Sequence, residues 1–536
     1  MPTRTICILA AILFHTFSGK AQDSLKSSNI PIVIINSEGI NIPDEPKVLA
    51  KFAIVDHLNK RNYISDTATF KCNILIERRG SSSQAFFPQI SYSLKLIDST
   101  GNDLNKSLMG MPEEHDWILY APYNDKTCLR NCLSYLISNR MGMYASRTKF
   151  CELYVNNEYQ GLYVWMEKIK RDKNRVDIAR LDTADLIGDE LTGGYIFKID
   201  KVTSAGGDGC RSQYRTSNGI QLVYQYEYPH FNDIRNAQKK YLCSYIDSFE
   251  NSLVSPQFAN PQKGYRKYAD INTFIDYFIL NEICRNVDGY RLSTFIYKDK
   301  NDKLKIGPPW DYNLAWWNAN YCQGSWETGW AWQFNSYCGG DPFPVPIWWD
   351  RMMSDSVFVN ALNCRYTSLR QTVLRETQLF EWIDSLAQIT DEARTRHFKR
   401  WPILGSYVWP NPSPIPNTYS EEITAIKNFI TRRLHWLDLN MPGSCRITET
   451  QDFGESDQYE IYPNPADKNL NIALPKYIEG QIKMQLMNVY GTPIITEQLE
   501  PGYNNISLTS IPPGIYYLVI NNSKINLRTK KVVVSR

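Results

Sequence analysis

The sequence predicts an α+β protein, with a two-lobed domain followed by a small β-sandwich. Short alternating apolar runs fill residues 30–96, helical patterns dominate residues 236–440, and at least four short strands follow Cys445. A block of strands before a block of helices favours segregated α and β layers over alternating βαβ units. With 536 residues and 43% hydrophobic content, the chain is long enough for two or more domains.

The overall charge excludes one class of partner. The chain carries 59 Lys and Arg against 56 Asp and Glu, a net charge of +3. A balance this close to neutral argues against bulk electrostatic attraction to nucleic acid or to anionic lipid. We therefore expect no nucleic-acid partner.

The N-terminus, "MPTRTICILAAILFHTFSGKAQD", has the pattern of an export signal. Arg4 precedes an apolar run from Ile6 to Phe17, and the small residues Gly19 and Ala21 follow it. This pattern predicts a secretory signal peptide over residues 1–21, which is too short to span a membrane. No later segment has eighteen consecutive apolar residues, so we expect an exported mature chain without a transmembrane segment.

The first half of the chain reads as strands, one helix and a hairpin. The runs "IPIVIIN", "FKCNILIERR" and "ISYSLKL" predict strands. The segment "NDKTCLRNCLSYLISNRMG" predicts an amphipathic helix, with Asp125 as its capping candidate and Gly142 as its end. The segment "FCELYVNNEYQGLYVWMEKI" predicts a hairpin that turns at Asn156-Asn157, and "YIFKIDK" predicts a further strand.

The second half is mainly helical and rich in tryptophan. Helices are predicted at "NAQKKYLCSYIDSFENSL", "INTFIDYFILNEICRN", "SVFVNALNCRYTSLRQTV" and "SEEITAIKNFITRRLHWLDLN". Eight of the fourteen tryptophans lie between Trp310 and Trp349. We expect most of them to pack a core, although a platform that stacks sugars or peptides is the alternative.

The cysteines suit an exported chain. Removing Cys7 with the signal peptide leaves eleven, so at least one thiol is free or pairs with another molecule. Cys322 and Cys338 flank the central tryptophan loop and are expected to form a disulfide. The helical Cys128 and Cys132 are expected in the core.

Two aspartates bracket one predicted hairpin in "NVDGYRLSTFIYKDKNDKLKIGPPWDYNLAWWN", residues 286–318. Asp288 precedes the hairpin and Asp311 follows it, so both carboxylates can meet at one rim. Such a rim can hold a metal or a proton acceptor. The alternative is that each aspartate merely caps backbone N–H groups in its turn.

Several motifs in order resemble the spore-coat protein H (CotH) kinase family. They are "RRGSSS", "YSLKL", "SLMGMPEEHDWILYAPYNDKTCLRN", "CELYVNNEYQGLYVWMEKIKRDKNRV", "GGYIFKID", "NVDGYRLSTFIYKD" and "GPPWDYNLAWWN", between residues 73 and 440. The resemblance implies an atypical two-lobed protein-kinase-like fold. It also implies transfer of phosphate from ATP to Ser or Thr of a partner protein at the cell surface, with Mg²⁺ or Mn²⁺.

The resemblance assigns roles to particular residues. Phosphoryl transfer needs charge neutralisation and positioning, and the family pattern places Asp288 and Lys95 as catalytic groups. The same pattern implies nucleotide-binding residues at Arg79, Ser81, Ser82, Lys95 and Glu167. Each residue could instead have only a structural role. A strand lysine is often solvated, Gly-Ser clusters mark turns, and Glu167 ends a strand.

The resemblance also implies metal ligands at Asp311, Ser293 and Asn313. Many relatives carry Asn where this chain has Ser293, and a second carboxylate where it has Asn313. A hydroxyl and an amide are weaker ligands, yet an oxygen-rich set still favours Mg²⁺ or Mn²⁺ over zinc. These two departures put the activity in question.

The C-terminal region resembles the type IX secretion C-terminal sorting domain. The resemblance rests on "YPNPADKNLNI", "PPGIYYLVI" and the final "KKVVVSR". It implies passage across the outer membrane by the type IX machinery, then surface attachment or release. An ordinary carbohydrate-binding or Ig-like module is the alternative. The predicted domains are residues 22–445, a linker at 446–458 and the sorting domain at 459–536.

Two functions therefore remain from the sequence. One is an exported Ser/Thr protein kinase, and the other is a catalytically weak pseudokinase that serves as a surface assembly or binding protein. Carbohydrate binding through the tryptophans is a third, weaker alternative. The six histidines show no HExxH pattern, which disfavours a metallohydrolase.

Overall fold

The computed structural model describes residues 25–202, 208–216, 218–445, 459–474, 481–488, 492–522 and 530–535. The predicted signal peptide and the predicted linker at 446–458 lie outside the described residues. The chain divides into two compact units, residues 1–445 and 446–536. Within the described ranges, no helix has the length and apolar character needed to cross a membrane.

Fourteen strands are described in the first unit. In chain order they are β1 (Ser27–Ser28), β2 (Ile32–Asn36), β3 (Val48–Val55), β4 (Asn62–Tyr63), β5 (Phe70–Arg79), β6 (Ser91–Ile97), β7 (Asp116–Tyr120), β8 (Thr148–Val155), β9 (Glu158–Glu167), β10 (Tyr195–Ile199), β11 (Gly209–Arg215), β12 (Gln221–Tyr228), β13 (Thr294–Lys298) and β14 (Leu304–Ile306).

Ten α-helices are described in the same unit. They are α1 (Ser82–Phe86), α2 (Arg130–Met141), α3 (Asn236–Val254), α4 (Ile271–Cys284), α5 (Phe334–Tyr337), α6 (Trp348–Met353), α7 (Ser356–Arg370), α8 (Glu376–Ile389), α9 (Asp391–Arg400) and α10 (Tyr419–Asn440). The strands and helices predicted from the motifs above are all present, except that the exact ends differ.

Seven strands close into a barrel in the order β2-β3-β5-β6-β7-β9-β8. Neighbouring strands pair antiparallel except β2 and β8, which pair in parallel with Ile32 opposite Glu152. Aromatic side chains fill the barrel core, where the rings of Trp117 and Trp165 lie 5.2 Å apart. A closed barrel leaves no free sheet edge among these strands.

The predicted α+β, two-lobed kinase-like fold is therefore wrong. The strands that the sequence places in one sheet-rich lobe form a closed barrel instead. A second sheet with several helices follows the barrel. The sequence pattern shows where strands form, but closure depends on the parallel β2–β8 pairing across more than a hundred residues. Alternation within a strand carries no information about so distant a partner.

A second, five-stranded sheet carries the chemistry described below. Its order is β11-β12-β10-β13-β14, and each neighbouring pair is antiparallel. Its residues share a large core with the helices, including the fully buried Trp316, Trp348 and Trp349. The prediction that most of the tryptophan cluster packs a core is confirmed for these three rings.

Local turn chemistry follows the sequence closely. Asn156 and Asn157 have φ values of 50° and 65°, so the predicted β8–β9 turn is confirmed. Gly142 ends α2 at φ 96°, as predicted. The helix starts at Arg130 rather than next to Asp125, whose carboxylate accepts hydrogen bonds from the backbone N–H groups of Thr127 and Arg130. Asp125 thus stabilises the turn ahead of the helix.

Three disulfides are present in the described part of the first unit. The predicted Cys322–Cys338 bond is confirmed, and Cys210–Cys243 and Cys364–Cys445 form two more. Cys128 and Cys132 are buried free thiols, as predicted. Burial raises the pKa of Cys132 to about 12, so this thiol stays protonated and unreactive.

The second unit contains two antiparallel sheets around one core. Its strands are β15 (Glu460–Tyr462), β16 (Asn469–Ala473), β17 (Ile482–Met487), β18 (Pro493–Leu499), β19 (Tyr503–Ser507), β20 (Gly514–Asn522) and β21 (Lys530–Val534). The sheet orders are β15-β16-β19 and β18-β17-β20-β21. Residues from both sheets, among them Leu470, Met484 and Leu518, share one buried cluster.

A fully buried ion pair joins two long helices of the first unit. Glu282 of α4 accepts a 2.9 Å hydrogen bond from the Arg433 guanidinium of α10, and both side chains are 0% exposed. The Glu282 carboxylate also accepts from the Tyr290 hydroxyl and from the backbone N–H groups of Ala331 and Trp332. One carboxylate therefore fixes two helices and two loops.

We predict that Arg433→Met destabilises the first unit by roughly 3–5 kcal/mol, because it leaves the Glu282 charge buried without its partner. Urea unfolding followed by tryptophan fluorescence measures this, since all fourteen tryptophans precede Cys445. The control is Arg432→Met, whose guanidinium pairs with Glu327 at the surface and is 56% exposed. Equal losses in the two variants would contradict the prediction.

Candidate functional site: a charged cluster formed by the barrel and the five-stranded sheet

The turns that bracket the β13–β14 hairpin bring Asp288 and Asp311 within electrostatic range of each other. Asp288 follows α4, and Asp311 follows β14. The charge of Asp288 helps to raise the pKa of Asp311, which places the two carboxylates within electrostatic range. The expectation that both aspartates meet at one rim is consistent with this coupling and stays a prediction.

One carboxylate oxygen of Asp288 accepts hydrogen bonds that hold the side chain in place. Its Oδ1 accepts hydrogen bonds from the Arg291 guanidinium at 2.8 Å and from the Tyr321 hydroxyl at 3.3 Å. The Asp288 backbone N–H donates to the side chain of Asn286 at 3.2 Å. With Oδ1 engaged, Oδ2 is the oxygen that can face a ligand.

Asp311 occupies an unusual backbone position and an acidic environment. Its φ is 62°, in the left-handed region that side chains other than Asn and Asp rarely adopt. Its N–H donates to the hydroxyl of Tyr135 at 3.1 Å, and the Tyr135 ring stacks on Trp310. Burial, and then repulsion from Asp288 and Asp200, raises the pKa of Asp311 to about 7.

Basic side chains lie near these aspartates, and we call the whole group the charged cluster. Arg79 and Lys201 act against the rise in the Asp311 pKa, so both cations lie in range of that carboxylate. The partly buried members of the cluster are Arg79, Lys168, Lys198, Asp200, Lys201, Glu227, Asp288 and Asp311. Acidic and basic side chains in this mixture suit a ligand that carries both phosphate and a cation.

Strand β10 and its end supply charges to the cluster at alternate positions. Lys198 forms a 3.0 Å ion pair with Glu227 of β12. Burial favours the neutral acid, but Lys198 and Lys168 hold the pKa of Glu227 below its usual value. Burial raises the pKa of Asp200, opposed by Lys198 and by the backbone N–H of Ser293.

The predicted nucleotide-binding loop reaches the cluster. Arg79 lies over the Trp310 ring, 5.5 Å from its centroid, and Ser82 accepts a 2.6 Å hydrogen bond from Lys201. Ser81 is exposed in the same loop. Gly80 has φ 113°, and a Cβ there would come within 2.1 Å of the Ser83 Oγ, so the turn requires glycine.

Lys95 and Glu167 have partners outside the cluster. The Lys95 ammonium pairs with Asp103 at 2.7 Å. Glu167 accepts from the Arg147 guanidinium at 2.8 Å and from the Tyr144 hydroxyl at 3.1 Å. Their predicted roles in catalysis and nucleotide binding stay predictions.

A second acidic group lies next to Lys95, and it is paired with the ammonium group of a lysine of the same chain. Glu114, His115 and Asp116 offer ligand atoms within 4.8 Å of one another. The Lys170 ammonium donates to Glu114 at 3.1 Å and to Asp116 at 2.7 Å. Burial opposes ionisation of Asp116, yet His115 and Lys170 keep its pKa well below the usual range. We interpret this group as a structural ion-pair network.

Ser293 and Asn313, the other predicted metal ligands, lie beside the aspartates. Ser293 has φ 46°, and its backbone N–H faces Asp200. The Asn313 side-chain amide donates to Asn124 at 3.2 Å. Their roles as ligands also stay predictions.

Sequence reasoning missed five members of the cluster: Lys168, Lys198, Asp200, Lys201 and Glu227. The motif "GGYIFKID" contained a signal, because charged residues at positions 198 and 200 interrupt one face of an otherwise apolar strand. Lys168 and Glu227 carry no comparable mark, since charges near strand ends are common on any protein surface.

The fold and the cluster define a class of protein: a closed barrel and an antiparallel sheet that bring acidic and basic side chains together. The family model described as CotH kinase protein matches residues 76–437, and the chain belongs to this family. No curated protein matches the chain.

The family model described as secretion system C-terminal sorting domain matches residues 460–535, which confirms the second predicted resemblance. The protein is therefore exported across the outer membrane, to the cell surface or beyond it, by the type IX secretion machinery.

We predict that the metal-free protein loses stability as the pH rises from about 4 to about 7, because the Asp311 carboxyl ionises over this range. Its folded pKa, about 7, exceeds the usual aspartate value of about 3.8, so the folded chain holds this proton more tightly than the unfolded chain does. Asp311→Asn, which tolerates the left-handed backbone, should therefore be more stable than the parent at pH 8 by roughly 1–4 kcal/mol and equal to it near pH 4.

Urea unfolding in chelator across this pH range measures the difference. The matched control is Asp189→Asn, because Asp189 is exposed and lies away from the cluster. A stability gain for Asp311→Asn that is the same at pH 4 and pH 8 would show that the effect does not come from titration.

Proposed function

We propose that this exported protein transfers the terminal phosphoryl group of ATP to a Ser or Thr hydroxyl of a protein at the cell surface. The observation that carries the proposal is the charged cluster, in which the carboxylate of Asp311 lies in electrostatic range of Asp288, Arg79 and Lys201. Phosphoryl transfer requires a carboxylate for the acceptor hydroxyl and positive charge for the phosphates. Membership of the CotH kinase family supports the same reaction.

The chain's own residues divide the work in this proposal. Asp288 Oδ2 accepts the proton of the acceptor hydroxyl, while Arg291 and Tyr321 hold Oδ1. The acceptor oxygen then bonds to phosphorus as the bond to the bridging oxygen of ADP breaks. Arg79, Lys201 and the hydroxyls of Ser81 and Ser82 bind phosphate oxygens.

The donor set of the cluster fits a divalent cation. Asp311 and Asp200 are partly buried carboxylates whose pKa values are raised by burial and by repulsion from neighbouring carboxylates, and a bound cation would relieve that cost. We assign them as ligands, with Ser293 Oγ and Asn313 Oδ1 as the predicted oxygen donors beside them. Mg²⁺ or Mn²⁺ held by these residues would neutralise charge on the transferred group.

The second candidate is a pseudokinase that serves in surface assembly. It is favoured by Ser293 and Asn313, which replace an amide and a carboxylate of many relatives. It is also favoured by export, because ATP is scarce outside the cytoplasm. Carbohydrate binding has less support, since Trp316, Trp348 and Trp349 are buried and present no face to a sugar.

We predict that Asp288→Asn and Asp311→Asn fail in different ways. Asp311→Asn should weaken metal-dependent ATP binding, because it removes a carboxylate ligand. Asp288→Asn should leave binding nearly intact and reduce transfer on the order of a hundredfold or more, as expected for a lost proton acceptor. Thermal shift with ATP and Mg²⁺ or Mn²⁺ reports binding, and labelled phosphate incorporation reports transfer.

Asp189→Asn again serves as the control and should behave like the parent in both assays. A parent protein that binds no ATP with either metal would refute the kinase proposal. Binding without transfer would favour the pseudokinase.

We predict that the double variant Ser293→Asn with Asn313→Asp transfers phosphate at least tenfold faster than the parent, because it supplies stronger oxygen ligands. The backbone permits the first change, since Asn tolerates φ 46°. The side chain of Asn124 permits the second change. Its buried amide nitrogen has no acceptor among the described residues and can turn to donate to the new carboxylate. Asn313→Leu, which supplies no ligand oxygen, is the control. A double variant no faster than the parent would show that these positions do not limit the rate.

A further inference from the structure

The loop that follows Asp311 reaches back to Asp288 from both of its ends. At one end, Tyr321 donates its hydroxyl to Asp288 Oδ1 at 3.3 Å. At the other end, the Asp341 carboxylate and the Phe343 carbonyl accept hydrogen bonds from Arg291 at 3.0 and 3.1 Å. Arg291 in turn donates to the same Oδ1 at 2.8 Å. We call residues 321–343 the clamp loop.

Arg291 depends on this loop for its orientation. Its side chain is only 1% exposed, and its guanidinium lies 3.9 Å from the ring centroid of Phe334, which belongs to the clamp loop. Apart from Asp288 itself and the Val287 carbonyl, the described partners of the guanidinium come from the loop. A shift of the loop therefore moves Arg291, and with it the carboxylate that Arg291 holds.

A disulfide ties the two ends of the clamp loop together. Cys322 follows Tyr321 directly, Cys338 lies three residues before Asp341, and their Cα atoms are 5.5 Å apart. Cys322 and Gln323 have φ values of 45° and 57°, in the left-handed region. Residues other than glycine keep this backbone only where their surroundings fix it. The covalent bond acts at the point where the loop turns towards Asp288.

We propose that Tyr321 and Arg291 are positioning residues for Asp288, and that the Cys322–Cys338 disulfide holds both of them in place, so that transfer requires the oxidised form. The proposal rests on the proposed function. A dithiol reductant reverses the clamp: its two thiols become a disulfide, the Cys322–Cys338 bond breaks, and two thiols form. Export delivers the chain to compartments where disulfides persist, which would restrict transfer to the exported protein.

The test compares two disulfides of the full chain. Cys322→Ser with Cys338→Ser removes the clamp, and Cys364→Ser with Cys445→Ser removes a bond between α7 and the end of the first unit as the matched control. We expect the clamp variant to lose at least tenfold in kcat with ATP affinity changed less than twofold. The control should retain the parental kcat. Amide hydrogen exchange over residues 286–293 should accelerate only in the clamp variant.

A second variant guards against a global effect of removing the disulfide. Tyr321→Phe removes one hydroxyl and should lower kcat several-fold without changing the unfolding midpoint. Its effect should be smaller in the clamp variant than in the parent, because both changes release the same oxygen. Full additivity, or an equal loss of kcat in the Cys364–Cys445 control, would overturn the proposal.

The exchange measurement separates this proposal from the kinase proposal. If the parent protein transfers no phosphate, the proposed function fails, and hydrogen exchange alone then decides whether the disulfide holds the Asp288 turn. Unchanged exchange over residues 286–293 after loss of the Cys322–Cys338 bond would reject the clamp, whatever the activity.

Discussion

The buried Glu282–Arg433 pair is the interaction on which the geometry of the site depends. Glu282 receives hydrogen bonds from Arg433 of α10, from the Tyr290 hydroxyl and from two backbone N–H groups of the clamp loop. Tyr290 lies two residues after Asp288, and the loop positions Arg291. Burying two charges is costly unless every hydrogen-bonding group is satisfied. This arrangement satisfies them with the same segments that hold Asp288, so stability and site geometry share one set of contacts.

The charged cluster is a polar site formed by a sheet and a barrel whose elements are mainly apolar along their length. Its members come from the ends of β5 and β9, from β10 and β12, and from the turns after α4 and β14. Each element buries apolar residues along its length and contributes a charge where the element ends or faces its neighbour. Burial, and then repulsion from Asp288 and Asp200, raises the pKa of Asp311 to about 7, and Arg79 and Lys201 offset this rise only in part. In the proposed function, a bound cation would relieve the repulsion.

The sequence predicted the parts of this site that depend on local pattern. Alternation and turn residues identified the β8–β9 hairpin, and the position of two aspartates around a second hairpin predicted that they meet. Closure of the barrel escaped prediction, because it depends on the parallel pairing of β2 with β8. Lys168 and Glu227 escaped for the same reason, since only tertiary pairing brings their strands to Asp311. The disulfide between Cys210 and Cys243 likewise joins β11 to α3, and no pattern in the sequence predicts that these two elements lie together.

Backbone conformation links the folded scaffold to the proposed chemistry. Tyr290, Ser293 and Asp311 all adopt left-handed φ values, between 46° and 72°. Such conformations persist when surrounding contacts determine them, and they concentrate at sites where a side chain must be aimed. Here a buried carboxylate holds Tyr290, a backbone N–H of Ser293 faces Asp200, and the Tyr135 hydroxyl receives the N–H of Asp311. A fold kept only for its surface would not need three residues in two turns fixed in this way around two acidic side chains. The contacts therefore support the proposal that the protein binds a charged ligand at the cluster, whether or not Ser293 and Asn313 allow it to complete the transfer.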